Sequence, residues 1–256
     1  MIDSPVSFFV SFFQNPSALG IGLAIAFGAV WLAGYRPPLF RKPWLWADLA
    51  ASAILTLSAV SFIQIPLQNW TEQALSHVGI LVAGIPLVLL AGLVQEGSKL
   101  VPAVVYWWRS GKNIAPKAGL NIGAVAGAGF GIFEAQWAHN AIFASEWTWA
   151  AVQTYGFMTL AGFWERFFAF TVATHIAFSA LAGYGLARGW GWQFFLIASV
   201  LHGLMNYSAV LVQAGLFTVV HLEIYVALLA VLVTAWALWL RWRKKAATAE
   251  PTISSP

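Results

Sequence analysis

The 256-residue chain contains no cysteine and very few charged residues. Without cysteine there are no disulfide bonds and no thiolate chemistry, and the redox compartment stays undetermined. Only 9% of the residues are charged, against about 25% in soluble domains. The sequence also lacks a HExxH zinc motif and a glycine-rich phosphate loop after a strand. The low charge excludes an ordinary soluble domain. The missing motifs are the commonest signatures of soluble metalloproteases and of nucleotide-binding enzymes.

Long apolar segments fill the chain instead. Hydrophobic residues make up 60% of it, and a segment of about 20 apolar residues is long enough to cross roughly 30 Å of hydrocarbon as a helix. We therefore predict an all-α, polytopic helical membrane protein with about seven transmembrane helices. They form a single membrane domain, residues 1–245, and the polar tail 246–256 is predicted to be a disordered cytoplasmic segment. The predicted spans are residues 17–34, 46–65, 78–108, 118–143, 166–187, 192–213 and 219–240.

The basic residues predict the orientation of these spans. All of them except Lys99 and Arg166 follow the first, third, fifth or seventh span. By the positive-inside rule the N-terminus lies outside and the C-terminus is cytoplasmic, as in a multi-pass protein of the cell membrane. The basic segment RWRKK near the C-terminus is then a topology signal, and no nucleic-acid partner is predicted. The N-terminal PVSFFVSFF and the linker 144–156 are predicted to lie at the membrane interfaces.

Four spans carry ionisable groups at a similar depth. From the rise of 1.5 Å per residue, we place Glu96, Glu134, His175 and His202 about 15–24 Å from the cytoplasmic ends of their helices. Such groups are costly inside a membrane and mark functional sites by default. Polar contacts between membrane helices can instead be purely structural, but they average only about 0.6 kcal/mol. That gain does not account for so many desolvated groups in one layer.

Helical spacing indicates which of these groups face one another. Gly123 and Gly127 fall within about 20° of Glu134 around their helix. A glycine stripe allows a second helix to approach closely, so Glu134 is predicted to face a neighbouring helix. Polar residues also recur on the helix face that carries His175 in the fifth span, and on the face that carries His202 in the sixth.

The residues QEGSK (95–99), FGIFE (130–134), THIAFSALAGYG (174–185) and LHGLMN (201–206) resemble the four membrane motifs of the PrsW family of intramembrane proteases. That family is related to the CAAX prenyl endopeptidases and the bacterial Abi proteins. The resemblance covers about residues 78–212. It implies a peptidase that acts within the membrane on a membrane-protein substrate, for example a single-span protein of the anti-sigma type.

The resemblance also assigns residues. Glu96 and Lys99 correspond to the second glutamate and the lysine of the family's EExxK motif, and Glu134 corresponds to the glutamate of FxxxE. The histidines of the third and fourth motifs correspond to His175 and His202.

Three further positions follow the pattern less closely. Gln95 stands where EExxK has its first glutamate, and an amide cannot act as a general base. Asn206 replaces the final acidic position of the fourth motif, as in the CAAX endopeptidases. Arg166 resembles a basic residue before the third motif, but it lies about 180° from His175 on a continuous helix.

Peptide hydrolysis needs an activated water and donors for the oxyanion. In one hypothesis Glu96 or Glu134 takes a proton from water and His175 orients that proton. His202 and Asn206 hold the oxyanion, and Lys99 tunes Glu96.

In a second hypothesis Glu134, His175 and His202 bind Zn²⁺ and Glu96 is the base. The sequence leaves both versions open, so it establishes no cofactor, and Zn²⁺ is the candidate.

Two other functions use similar residues. A non-catalytic scaffold of the same superfamily could carry a change such as Gln95, and a proton-coupled transporter also needs carboxylates and histidines near the midplane. No inverted repeat supports the transporter.

Overall fold

The computed structural model of the protein describes residues 4–144 and 160–243, with side chains for 4–140 and 169–243. Most of the predicted interfacial linker and the tail 246–256 lie outside these residues. All regular structure in the described part is helical. The helices are α1 (Pro5–Ser11), α2 (Ala18–Ala33), α3 (Trp44–Ala59), α4 (Ile65–Ala74), α5 (Ile80–Arg109), α6 (Pro116–Ala144), α7 (Leu160–Ala187), α8 (Gly191–Gln213) and α9 (Val219–Trp242).

The lengths of these helices agree with a multi-pass membrane protein. Six segments are long and apolar enough to cross a bilayer, and α2 is a shorter apolar helix of 16 residues. All seven predicted spans are therefore helical, and the polytopic helical fold is confirmed. The predicted orientation of the termini stays a prediction.

The second span is longer than predicted. It extends from Trp44 to Ala74, because α3 continues through a π-helical turn, Val60–Gln64, into α4. In this turn the Ile65 N–H donates to the Val60 carbonyl, five residues back. Pro66, which has no N–H to offer to an α-helical ladder, follows two residues after this turn. The helix continues through the proline to Ala74.

Helix α5 passes two prolines without breaking. It is continuous over 30 residues through Pro86 and Pro102. At 1.5 Å per residue it is about 45 Å long. This continuity keeps Glu96 and Lys99 on one turn of one helix.

Helices α6 and α7 form the centre of the bundle. The most apolar windows of α6 and α7 are 72% and 89% buried, against 28% for α5 and α9. A Cβ atom at Gly123 or Gly127 would overlap the backbone carbonyl of α7 at Ser179 or His175. The glycine stripe therefore does allow the predicted close approach. Because the two backbones touch, the depth of His175 relative to α6 is fixed.

The N-terminal segment packs on α6. The ring of Phe12, directly after α1, stacks on Trp137 with a centroid separation of 5.0 Å, and the Trp137 indole N–H donates to Ser11 Oγ over 3.0 Å. Phe12 is only 2% exposed. The segment predicted to lie at the interface therefore covers the C-terminal half of α6.

Candidate active site

Five side chains from four helices form one continuous network. Glu134 Oε2 lies 2.8 Å from His175 Nε2, and Lys99 Nζ lies 2.8 Å from His175 Nδ1. On its other side Lys99 Nζ is 2.5 Å from Glu96 Oε1, which is also 2.7 Å from His202 Nδ1. The groups predicted to lie at one depth are thus in direct contact.

Small residues allow α8 to approach α5 closely enough for this contact. A Cβ atom at Gly92 would overlap the backbone carbonyl oxygen of Ser199, and one at Gly203 would come within 3.3 Å of the Val88 carbonyl oxygen. His202 follows on the same face of α8 and reaches Glu96, one turn along α5 from Gly92. The His202–Glu96 contact therefore depends on glycine at position 92, and Gly203 leaves room for α5 on the other surface.

The donors in the network determine the tautomers of the two histidines. The Lys99 ammonium has only donors, so His175 Nδ1 accepts from it and the ring proton lies on Nε2, which donates to the Glu134 carboxylate. The Glu96 carboxylate has only acceptors, so His202 Nδ1 is the donor in that pair. When His202 is neutral, its Nε2 is consequently an acceptor. The two neighbouring rings, 5.2 Å apart, thus carry their protons on different nitrogens.

The network is sealed at one end and open at the other. The side chains of Glu96 and Lys99 are 0% exposed, whereas the side chain of Glu134 is 27% exposed. Glu96 Oε1 is shared by Lys99 and His202, and Oε2 accepts from Ser179 Oγ over 3.2 Å. Glu96 therefore has no free oxygen, and Glu134 is the carboxylate of this network whose side chain is partly exposed.

Ser179 was not among the predicted site residues. It lies on the polar face of α7 one turn after His175, and that spacing was the available signal. In contrast, Ser199 on the polar face of α8 bonds to its own helix, donating to the Phe195 carbonyl. The spacing alone did not distinguish these two serines.

The network among the described residues does not include Asn206. Asn206 is half-buried one helical turn after His202, and it forms no hydrogen bond with other described residues. It remains close enough along α8 to share the polar face of His202. Arg166 belongs to α7, but its side chain lies outside the described residues.

Gln95 belongs to a separate polar chain. Its Nε2 donates to Gln64 Oε1 over 3.2 Å, Gln64 Nε2 donates to Gln68 Oε1 over 3.2 Å, and Gln68 Nε2 donates to the Leu87 carbonyl over 3.1 Å. Gln95 thus faces the π-helical turn and not the carboxylate next to it in sequence. The sequence signal for this chain of hydrogen bonds was a pair of glutamines at i, i+4 in an apolar span.

A metal could be held by three of the buried residues. Glu96, His175 and His202 offer one carboxylate oxygen and two ring nitrogens within 4.8 Å of one another, which is a donor set that Zn²⁺ accepts. The set contains Glu96 and not Glu134, so it differs from the predicted zinc ligands. However, the Lys99 ammonium contacts both Glu96 Oε1 and His175 Nδ1. The three residues do not fit a divalent ion while Lys99 is in place.

Comparison with known protein families gives one match. Residues 41–236 match the model of the family described as PrsW family intramembrane metalloprotease. The match extends beyond the four motifs to α3 and most of α9. No curated protein and no solved structure matches the chain.

Proposed function

The chain belongs to the PrsW family of intramembrane proteases, and we propose that it hydrolyses a peptide bond of a single-span membrane protein at the Glu134 end of its buried network. The observation that carries this proposal is the exposure of Glu134 beside His175, with every other member of the network sealed. A carboxylate that is both oriented and reachable by water is what a general base requires.

Glu134 is the general base in this proposal. It takes a proton from a water molecule, and the water oxygen forms a bond with the substrate carbonyl carbon. The Nε2–H of His175 holds the carboxylate in position through the 2.8 Å contact. When the carbon–nitrogen bond breaks, the proton on Glu134 passes to the leaving amine. Glu96 is not the base, because both of its oxygens already accept hydrogen bonds.

Asn206 is the proposed donor to the developing oxyanion, because it is half-buried on the side of α8 that carries His202. His202 itself is sealed, and its 2.7 Å contact with Glu96 holds this side of α8 against α5. Lys99 keeps Glu96 ionised and orients His175. We therefore assign Lys99 and Glu96 to positioning.

Cleavage of a panel of single-span membrane proteins by the purified chain tests this proposal. We expect Glu134→Gln to lower the rate by about 10²–10⁴-fold, the usual contribution of a general base, with the fold retained. Glu72→Gln, which changes an exposed carboxylate of α4, is the matched control and should cleave like the wild type.

Two results would contradict the assignment. Full activity of folded Glu134→Gln would show that another group activates the water. No cleavage of any substrate by the wild-type chain would favour the scaffold function, and substrate-dependent proton uptake in liposomes would instead identify a transporter.

A further inference from the structure

We propose that the ammonium of Lys99 is the resident cation of the site, in the position that a divalent metal would occupy, and that removing it converts the site into a metal site. This inference rests on the proposed function, because both concern the same network. Its test measures bound metal without any substrate, so its failure and the failure of the peptidase proposal are distinguishable.

Three side chains present the donor atoms of a possible metal site. Glu96, His175 and His202 present their ligand atoms within 4.8 Å of one another. Two imidazole nitrogens and one carboxylate oxygen are the protein ligands of many catalytic zinc sites. Imidazole nitrogen suits zinc, copper, iron and nickel. The three side chains by themselves are therefore suited to a divalent metal.

Lys99 lies between two of these donor atoms. Its Nζ lies 2.5 Å from Glu96 Oε1 and 2.8 Å from His175 Nδ1. A zinc ion bound to the same oxygen and nitrogen would lie about 2.0–2.2 Å from each. The two cations would therefore compete for the same lone pairs at the same place. One positive charge already satisfies both ligands.

The surroundings of Lys99 oppose its displacement by a metal. Its side chain is 0% exposed, and its Nζ lies 5.9 Å from the centre of the Phe130 ring. Leaving its present partners to admit a metal would strand the ammonium without an acceptor in an apolar interior, which is strongly unfavourable. Its burial thus keeps Lys99 between Glu96 and His175.

The inference also gives Lys99 a positioning role. By donating to His175 Nδ1, the ammonium places the ring proton on Nε2, where it meets Glu134. It also offers one positive charge to the two carboxylates Glu96 and Glu134. An ammonium can do this without a coordination site that must be loaded from solution.

Metal content of the purified full chain tests this. Wild type, Lys99→Met and the double variant Lys99→Met/His202→Ala are dialysed against buffered Zn²⁺ or Co²⁺. Bound metal is then measured by mass spectrometry and by the absorption bands of Co²⁺. Lys117→Met, a change of an exposed lysine, is the matched control. We expect no stoichiometric metal on wild type or on Lys117→Met, one ion per chain on Lys99→Met, and loss of that ion in the double variant.

A wild-type chain that retains one ion per chain and loses it on His202→Ala overturns the inference. A folded Lys99→Met that binds no metal also overturns it. If Lys99→Met folds only when Zn²⁺ is supplied during expression, the inference is supported. If Zn²⁺ does not restore its folding, and Lys99→Gln behaves in the same way, the inference is wrong.

Discussion

Glu96 and Glu134 are the same residue type, each bonded to a histidine at 2.7–2.8 Å, yet they occupy opposite environments. Glu96 is sealed and shares its oxygens among three donors, whereas the side chain of Glu134 is 27% exposed. The difference separates two tasks that one carboxylate could not combine. Glu96 balances the charge of a buried lysine, and Glu134 keeps part of its side chain exposed.

The largest effect on stability is expected at the sealed end. Glu96→Gln leaves the Lys99 ammonium buried without its carboxylate, and breaking a buried pair in this way costs about 3–5 kcal/mol. We expect a large fall in the unfolding midpoint of the detergent-solubilised protein. Glu134→Gln is the matched variant at the open end and should unfold close to the wild type while losing cleavage. Equal midpoints for the two variants would show that the two carboxylates are not divided in this way.

The next effect tests whether the close packing of α6 and α7 supports the open end. A Cβ atom at Gly127 would overlap the His175 carbonyl, so Gly127→Ala must separate the helices that carry Glu134 and His175. Overpacking of this kind costs about 1–3 kcal/mol, and we expect a lower unfolding midpoint together with slower cleavage. Gly22→Ala in α2 meets no atom within 4 Å and is the control. If both alanines behave alike, the backbone contact does not hold the site.

The smallest effect is expected at Gln95, beside Glu96 in sequence but outside its network. Gln95→Met removes the donor to Gln64 without burying a charge, and losing a neutral hydrogen bond costs about 0.5–1.5 kcal/mol. We expect slightly lower stability and cleavage at the wild-type rate. Gln68→Met, one step further along the glutamine chain, should behave in the same way. A marked gain of cleavage with Gln95→Glu alone would instead assign that position to catalysis.

Much of the site could be predicted because it depends on local geometry. The rise per residue along a helix gave a similar depth for Glu96, Glu134, His175 and His202, and the glycine stripe indicated which face of α6 meets another helix. The predicted zinc ligands could not be separated from alternatives by depth, and they stay a prediction. In the structure Glu96 contacts His202, and Glu134 contacts His175.

The glutamine chain and the π-helical turn were not predicted. Gln64 and Gln68 are polar residues in an apolar span, but their partners lie on α5, more than 15 residues away. A π-helical turn before Pro66 has no period that distinguishes it from an α-helix over a few residues. Both features depend on contacts between helices that are separate in sequence.

By itself, the sequence determined that the chain is a helical membrane protein with buried carboxylates and histidines near one depth, because apolar length and helical rise follow directly from the order of residues. Only the tertiary structure decided which carboxylate is sealed and that Lys99 bridges Glu96 to His175. Exposure and side-chain partners depend on how separate helices pack, and a difference of a few ångströms in that packing decides whether a carboxylate meets an ammonium or water.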